Sequence, residues 1–172
     1  PSDIQDVLDY GLHGLAMSRF SALWSALICV ADTMDASATI NVSDDRLNFV
    51  FPEEADPRKD YHQNRDLLLA NRLETERLQR ELRLPAAQAY VRANRLDRAT
   101  FGATSRVRLG LVATGKAYRD MRQALDLMGV SEAKAREIGL AVYKVAMPWP
   151  LEPEGLGAFA RGAERLLVVE HK

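Results

Sequence analysis

The chain has 172 residues, 47% of them hydrophobic and 27% charged, an ordinary globular composition that suits one domain or one and a part. No apolar run approaches the ~18 residues that cross a bilayer, no basic–apolar–small leader opens the chain, and the one cysteine, Cys29, excludes an internal disulfide or a cysteine-ligated cluster made by this chain alone; a cytoplasmic protein is the expectation. The net charge of −1 is unevenly spread: residues 1–56 carry 2 basic and 10 acidic side chains, residues 57–108 carry 12 and 6, and the remainder is nearly balanced, so the first and middle thirds are expected to attract each other or to face different partners.

Residues 1–18 read as a helix with Ser2 as N-cap, Asp3 at the positive end of the dipole and Gln5 three residues on from the cap. Ile4, Leu8, Leu12 and Leu15 form its apolar stripe, and Gly11 and Gly14, each costing about 1 kcal/mol relative to alanine, mark a close approach to another backbone. Residues 20–34 fit a buried helix or a buried strand equally, since periodicity does not separate the two in a short apolar run. Residues 38–42 and 47–51 are strand candidates around the turn-forming Ser43-Asp44-Asp45-Arg46, which predicts a hairpin, and residues 52–57 are a solvated acidic loop. Residues 58–95 are helical, with Leu67, Leu69, Leu73, Leu78 and Leu82 as a narrow stripe and Pro85 in the first turn of a second helix that ends at Asn94. Residues 97–104 are a linker.

From residue 105 the pattern becomes strand–helix–strand–helix–strand. Val107 to Ala113, Leu140 to Met147 and Leu166 to Glu170 are near-continuous apolar runs, as parallel strands buried on both faces require. Between them lie a helix over Lys116 to Met128 (Tyr118, Met121, Ala124, Leu125 and Met128 on one face, Gly129 after it), a short helix capped by Ser131 and stopped at Gly139, and a helix from Glu154 to Arg165. Pro148 and Pro150 block continuation of the second strand. The fold expected is therefore α/β, a three-layer, three-stranded parallel sheet with right-handed βαβ crossovers, preceded by a helical and partly stranded segment. Such sheets place ligands at the carboxyl ends of their strands, here Thr114-Gly115-Lys116, Met147 to Pro150 and Glu170 to Lys172.

Few motifs survive comparison with a plainer reading. Gly110 to Ala117 matches GxxxxGK, but Ala117 stands where a Mg²⁺-ligating hydroxyl belongs and Gly110 lies inside a strand. The ordinary reading is a strand-end turn; as a candidate site it is reduced to weak anion binding by Gly115 and Lys116. His13, His62 and His171 have no metal spacing, His13 being placed at a helix surface or interface, and Cys29 is a small core residue rather than a nucleophile. Glu74, Glu76 and Glu81 interrupt the arginine-rich helices and aromatic residues are sparse, so a solvated or partner-facing helix is expected there and no nucleic acid. Trp149, held between two prolines, is a packing anchor for a neighbouring domain.

Several long stretches taken together, namely residues 11–24, 31–42, 84–94, 109–129, 143–153 and 166–172, resemble the indolepyruvate ferredoxin oxidoreductases, within the thiamine-diphosphate-dependent 2-oxoacid:ferredoxin oxidoreductases. The resemblance implies an enzyme that oxidatively decarboxylates arylpyruvates to an acyl-CoA and reduces ferredoxin, with thiamine diphosphate, Mg²⁺ and [4Fe–4S] clusters. The cofactor motif of that family, GDG followed by a paired asparagine, is missing here, as are cluster cysteines. By the same resemblance residues 1–56 are the end of a pyrimidine-type cofactor domain, 57–104 a helical connector and 105–172 a transketolase C-terminal-like domain, and residues 20–30 become a strand. The expectation is a fragment, inactive alone, with no catalytic, cofactor or metal residue of its own, partnered by other domains or subunits of the parent enzyme and not by a membrane. Its rivals are a standalone interaction module and a small coenzyme A or anion-binding domain centred on Gly115 and Lys116.

Overall fold

The computed structural model describes residues 1–57 and 72–171. The helix expected over 58–71, with His62, Leu67 and Leu69, lies outside the described residues, as does Lys172.

The carboxyl-terminal part is a four-stranded sheet in the order β1-β3-β2-β4, with β1 Arg98–Gly102, β2 Val107–Thr114, β3 Leu140–Val145 and β4 Ala163–Val169. β2 runs parallel to both β3 and β4, so Leu111 lies between Val142 and Leu167. The three expected strands are all present, and the three-layer reading holds. On one face Met121 and Leu125 of α5 (Gly115–Leu127) and Ala135 of α6 (Glu132–Ile138) pack on Leu111, Ala113 and Val142. On the other, Leu156 and Phe159 of α7 (Pro153–Arg161) pack on Val112, Tyr143 and Val145. Ser131 and Gly139 cap α6 as expected, the serine Oγ accepting from the Lys134 N–H and the glycine adopting φ +74°. Ala124 and Met128, placed on the buried face of α5 by spacing, are exposed; Ala117 takes their place near the start of the helix.

The linker expected over 97–104 is instead the edge strand β1, antiparallel to β3 and irregular between Ala99 and Phe101. Its five residues include three that the sheet leaves open to solvent or half-buried, so it has no apolar run to announce it. Gly102 closes it: at φ +92° a Cβ would sit 2.1 Å from the Leu140 carbonyl oxygen. Gly110 is also a packing glycine, since a Cβ there would meet Leu166 Cδ2 at 2.7 Å and Phe159 Cε1 at 2.9 Å. It lies within β2 and is no part of a phosphate loop.

The amino-terminal part departs further from expectation. Helix α1 (Ile4–Ser21) is capped by Asp3, whose side chain accepts from the Asp6 N–H, so Ser2 is not the cap. Its buried face is not the leucine stripe: Leu12 and Leu15 are exposed, while His13 and Phe20 are buried against α4 (Leu84–Ala93) in a second core with Tyr90, Val91, Leu96 and Met147. Residues 22–30 form neither strand nor helix, and a four-residue helix α2 (Ala31–Met34) follows. The implied strand at 20–30 is thus absent, having no ladder partner among the described residues; Trp24 is fully exposed and Cys29 is half-buried rather than in the core.

The expected hairpin also fails to pair. Its turn forms as a short 3₁₀ turn, Asp44–Arg46, but no ladder joins the flanks. Side-chain amides replace it. Gln5 donates to the Asn41 carbonyl at 3.1 Å and accepts from its N–H at 2.7 Å, and Asn94 does the same for Val50 at 2.8 Å each. Helices α3 (Arg72–Leu78) and α4 are joined through one wider π turn, Gln79–Arg83. Pro85 explains it, because proline offers no N–H to the preceding turn and its ring crowds the carbonyl four residues back. Leu78 of the predicted stripe is buried and Leu73 is exposed.

Candidate functional site

At the carboxyl end of β2, Thr114 makes no side-chain capping bond and Gly115, at φ +53°, turns the chain into α5. Lys116, the candidate anion ligand, has its ammonium 2.9 and 2.8 Å from the two oxygens of Asp120 and 3.6 Å from Asp32. Asp120 also bonds His171 Nε2 at 2.9 Å. The hydrogen bond to Asp120 raises the lysine pKa, and the same lysine followed by His171 holds the aspartate below its usual value. Gly115 and Lys116 are thus adjacent, as the sequence requires, with the cation already facing two carboxylates of its own chain.

A second cation at this end of the sheet was not anticipated. Lys144 of β3 is only 6% exposed, and its Nζ lies 2.6 Å from Asp6 Oδ2 and within 5.4 Å of the Tyr10 and Tyr118 rings. Ser2 donates to the same carboxylate through its N–H at 2.8 Å and its Oγ at 2.5 Å. Burial pushes the Asp6 carboxyl up, but Lys144 and Ser2 together bring it below the ordinary carboxylate value. Arg119 pairs with Asp3. The acidic first third is therefore tied to the last third through Asp3, Asp6 and Asp32. The sequence signal for Lys144 was a lone cation inside an apolar strand run.

The segment leaving β3 is held at both ends by buried carboxylates. Asp97 Oδ1 accepts from the N–H groups of Ala146 at 2.7 Å and Met147 at 3.1 Å, which ends the strand before its expected boundary. Its Oδ2 is buried without a hydrogen-bond partner among the described residues, and burial raises its pKa to about 6 against the pull of those two bonds. Glu152, 1% exposed, caps α7 by accepting from Glu154 and Gly155, and receives Arg92 Nε at 3.1 Å. Gln88 donates to the Leu151 carbonyl at 2.8 Å. Between these fastenings Trp149 is exposed. A Glu directly before Pro153 was the available signal, an N-cap ahead of proline at the first helical position.

His13 is buried, its Nδ1 3.0 Å from the Tyr90 hydroxyl and its ring edge-on to Phe49. It serves the contact between α1 and α4. Burial depresses its pKa.

Residues 99–172, from β1 to the end of β4, match the family model of the indolepyruvate oxidoreductase domain. The α/β unit is similar to that family's domain. Comparison with curated proteins gave no match. A solved structure that matches is the 2-oxoglutarate:ferredoxin oxidoreductase from Magnetococcus marinus with 2-oxoglutarate, coenzyme A and succinyl-CoA bound. It shares 14% identity over 56% of this chain and 16% of that one, with a TM-score of 0.39. The chain thus spans about a sixth of the length of that enzyme.

The chain's one cysteine falls short of the thiolates that the implied iron–sulfur cluster requires. Among the described residues no three His, Cys, Asp or Glu side chains converge as a metal site, and Cys29 is the chain's one cysteine. A [4Fe–4S] cluster takes four cysteine thiolates. No helix among the described residues is long and apolar enough to cross a membrane.

Proposed function

We propose that this chain is a supporting section of a 2-oxoacid:ferredoxin oxidoreductase that acts on arylpyruvates such as indolepyruvate, yielding an acyl-CoA and reduced ferredoxin. In this reading thiamine diphosphate with Mg²⁺ supplies the carbanion chemistry and [4Fe–4S] clusters the electron path, both held by other parts of the enzyme. The section contributes architecture and contacts between domains or subunits, and alone it is inactive. The family match over 99–172 carries the assignment to this class of enzyme.

The contact role rests on the surface of the unit. β4 has β2 on one side only, and Leu166, Leu167 and Val168 are exposed on its two faces. An apolar strand with an open edge is a pairing template that proteins ordinarily cover. Other domains of the oxidoreductase are the natural cover. A cytoplasmic location accompanies this reading.

A reconstitution assay tests it. The purified chain is supplied with thiamine diphosphate, Mg²⁺, coenzyme A, indolepyruvate and ferredoxin, alone and with the remaining parts encoded by its gene and operon. Turnover that needs the other parts supports the proposal. Turnover by the chain alone contradicts it.

A further inference from the structure

The sheet has two edges, and they are built differently. β1 has five residues and slips register between Ala99 and Phe101. Short length and a bulge are common ways of making an edge unfit for pairing. β4 has neither device. Its seven residues include no proline or glycine, and its register with β2 runs without a shift from Val107 beside Ala163 to Ala113 beside Val169. Five of the seven are exposed, among them Leu166, Leu167 and Val168.

Charge along this edge is polarised. Arg161 ends α7, Arg165 lies on β4 level with Leu109, and Arg106 and Arg108 flank Val107, itself level with Ala163. All four arginines are exposed and meet no carboxylate among the described residues, whereas Lys134 and Arg136 of the neighbouring α6 are paired with Glu137 and Glu132. Glu164 is the acid interleaved with them. Arg106 sits at φ +52°, where glycine or asparagine fits at lower cost, so its long cation is held against backbone preference. Past the other end of β4 the balance differs: Glu170 is exposed, and His171 is bonded to Asp120.

An open, regular, apolar edge with free guanidinium groups at one end selects its partner. Its main-chain groups suit any strand, its leucines and valine suit an apolar one, and its arginines favour carboxylates and repel cations. A polyanion without apolar groups would meet the arginines and leave Leu166 to Val168 uncovered. We propose that β4 takes up an added strand from another part of the oxidoreductase, apolar in its middle and carboxylate-bearing where it passes residues 163–165. This rests on the contact role proposed above and names the partner chemistry that the role requires.

Amide-resolved NMR titration of the 172-residue chain tests it. The probes are synthetic peptides of alternating valine and threonine, ending in a pair of aspartates or a pair of lysines, each made in both directions. One aspartate peptide is expected to shift the amides of residues 164–169 saturably, about tenfold more tightly than its lysine counterpart at low salt, with the gap closing as ionic strength rises. Arg108→Glu combined with Arg165→Glu should invert that preference, again by about tenfold, while the thermal midpoint stays near the parent's. The proposal is overturned by equal affinity for the two peptides, by no saturable shift from either, or by a preference that ignores the double reversal. Self-association of the chain through β4 would give the edge to a second copy and overturn it as well. The contact role is read separately, from amide protection of β4 in the complete enzyme. Protection there, with assembly indifferent to the double reversal, overturns the charge requirement alone; no protection there overturns both.

Discussion

In β2, Leu111 sits between ladders to Val142 and Leu167, whereas Val50 has both its N–H and its C=O taken by one side-chain amide, that of Asn94. The two residues represent the two halves of the molecule. From Arg98 onward the backbone is satisfied by neighbouring strands and helices, and apolar layers lock both faces of the sheet. Before it, backbone is fastened piecemeal by Gln5 and Asn94, and the helix α1 by Asp3, Asp6 and the buried contact of His13 with Tyr90. A ladder spreads its stability over many residues; a fastening concentrates it in one side chain. Single substitutions should therefore act globally in the first region and locally in the second.

The largest effect is expected from Gly102→Ala. A Cβ at φ +92° and 2.1 Å from the Leu140 oxygen forces β1 off β3, a cost of about 3 kcal/mol or more by strain and overlap together. Denaturant unfolding should show the whole transition shift. Next is Lys144→Met, which leaves the Asp6 carboxylate half-buried without its cation. Breaking such a pair costs about 3 kcal/mol, and hydrogen exchange should show α1 opening while β2 stays protected. Protection lost equally in both would refute the division into two regimes.

The pH dependence of Asp97 comes third. Its carboxyl titrates at about 6 in the folded chain and 3.8 ordinarily, so between these values the folded state holds more protons than the unfolded state. Stability credited to this group is full below about pH 4 and declines as pH rises to 6, by something on the order of 2–3 kcal/mol. Asp97→Asn keeps an oxygen for Ala146 and Met147 and removes the titration. Urea unfolding of both proteins from pH 4 to 7 should show the variant gaining on the parent as pH rises, and parallel curves would contradict the assignment. The smallest effect is Asn94→Ala, worth about 1–2 kcal/mol for lost backbone partners. It should expose the Val50 amide to exchange and leave the sheet untouched.

The same contrast explains what was legible in the sequence. Continuous apolar runs such as LGLVA, the Ser131 and Gly139 caps and the period of α5 depend on local rules, so the α/β order could be read directly. Strand β1 could not, because an edge strand with solvent on one side lacks the apolar run. The segment 20–30 was ambiguous because hydrophobicity says that a residue wants cover and not which partner supplies it. Ala38 to Val42 and Leu47 to Phe51 have strand composition, yet side chains distant in sequence took their backbone groups first. At the candidate site, Gly115 and Lys116 stood where expected, and the Lys116–Asp120 pair follows the four-residue spacing of one helix face, but the ion pairs of Lys116 with Asp32 and of Lys144 with Asp6 arise from tertiary contacts over as many as 138 residues. No spacing encodes them.

The contact role proposed for the α/β unit has its most direct test at β4. Amide exchange would be followed at Leu166 to Val169 in the isolated chain and in the complete oxidoreductase assembled from its gene and operon. The account predicts fast exchange of the outward-facing amides in the isolated chain and strong protection in the assembly, with the Trp149 fluorescence moving to a buried emission. Outward amides of β4 that exchange equally fast in the assembly would contradict it.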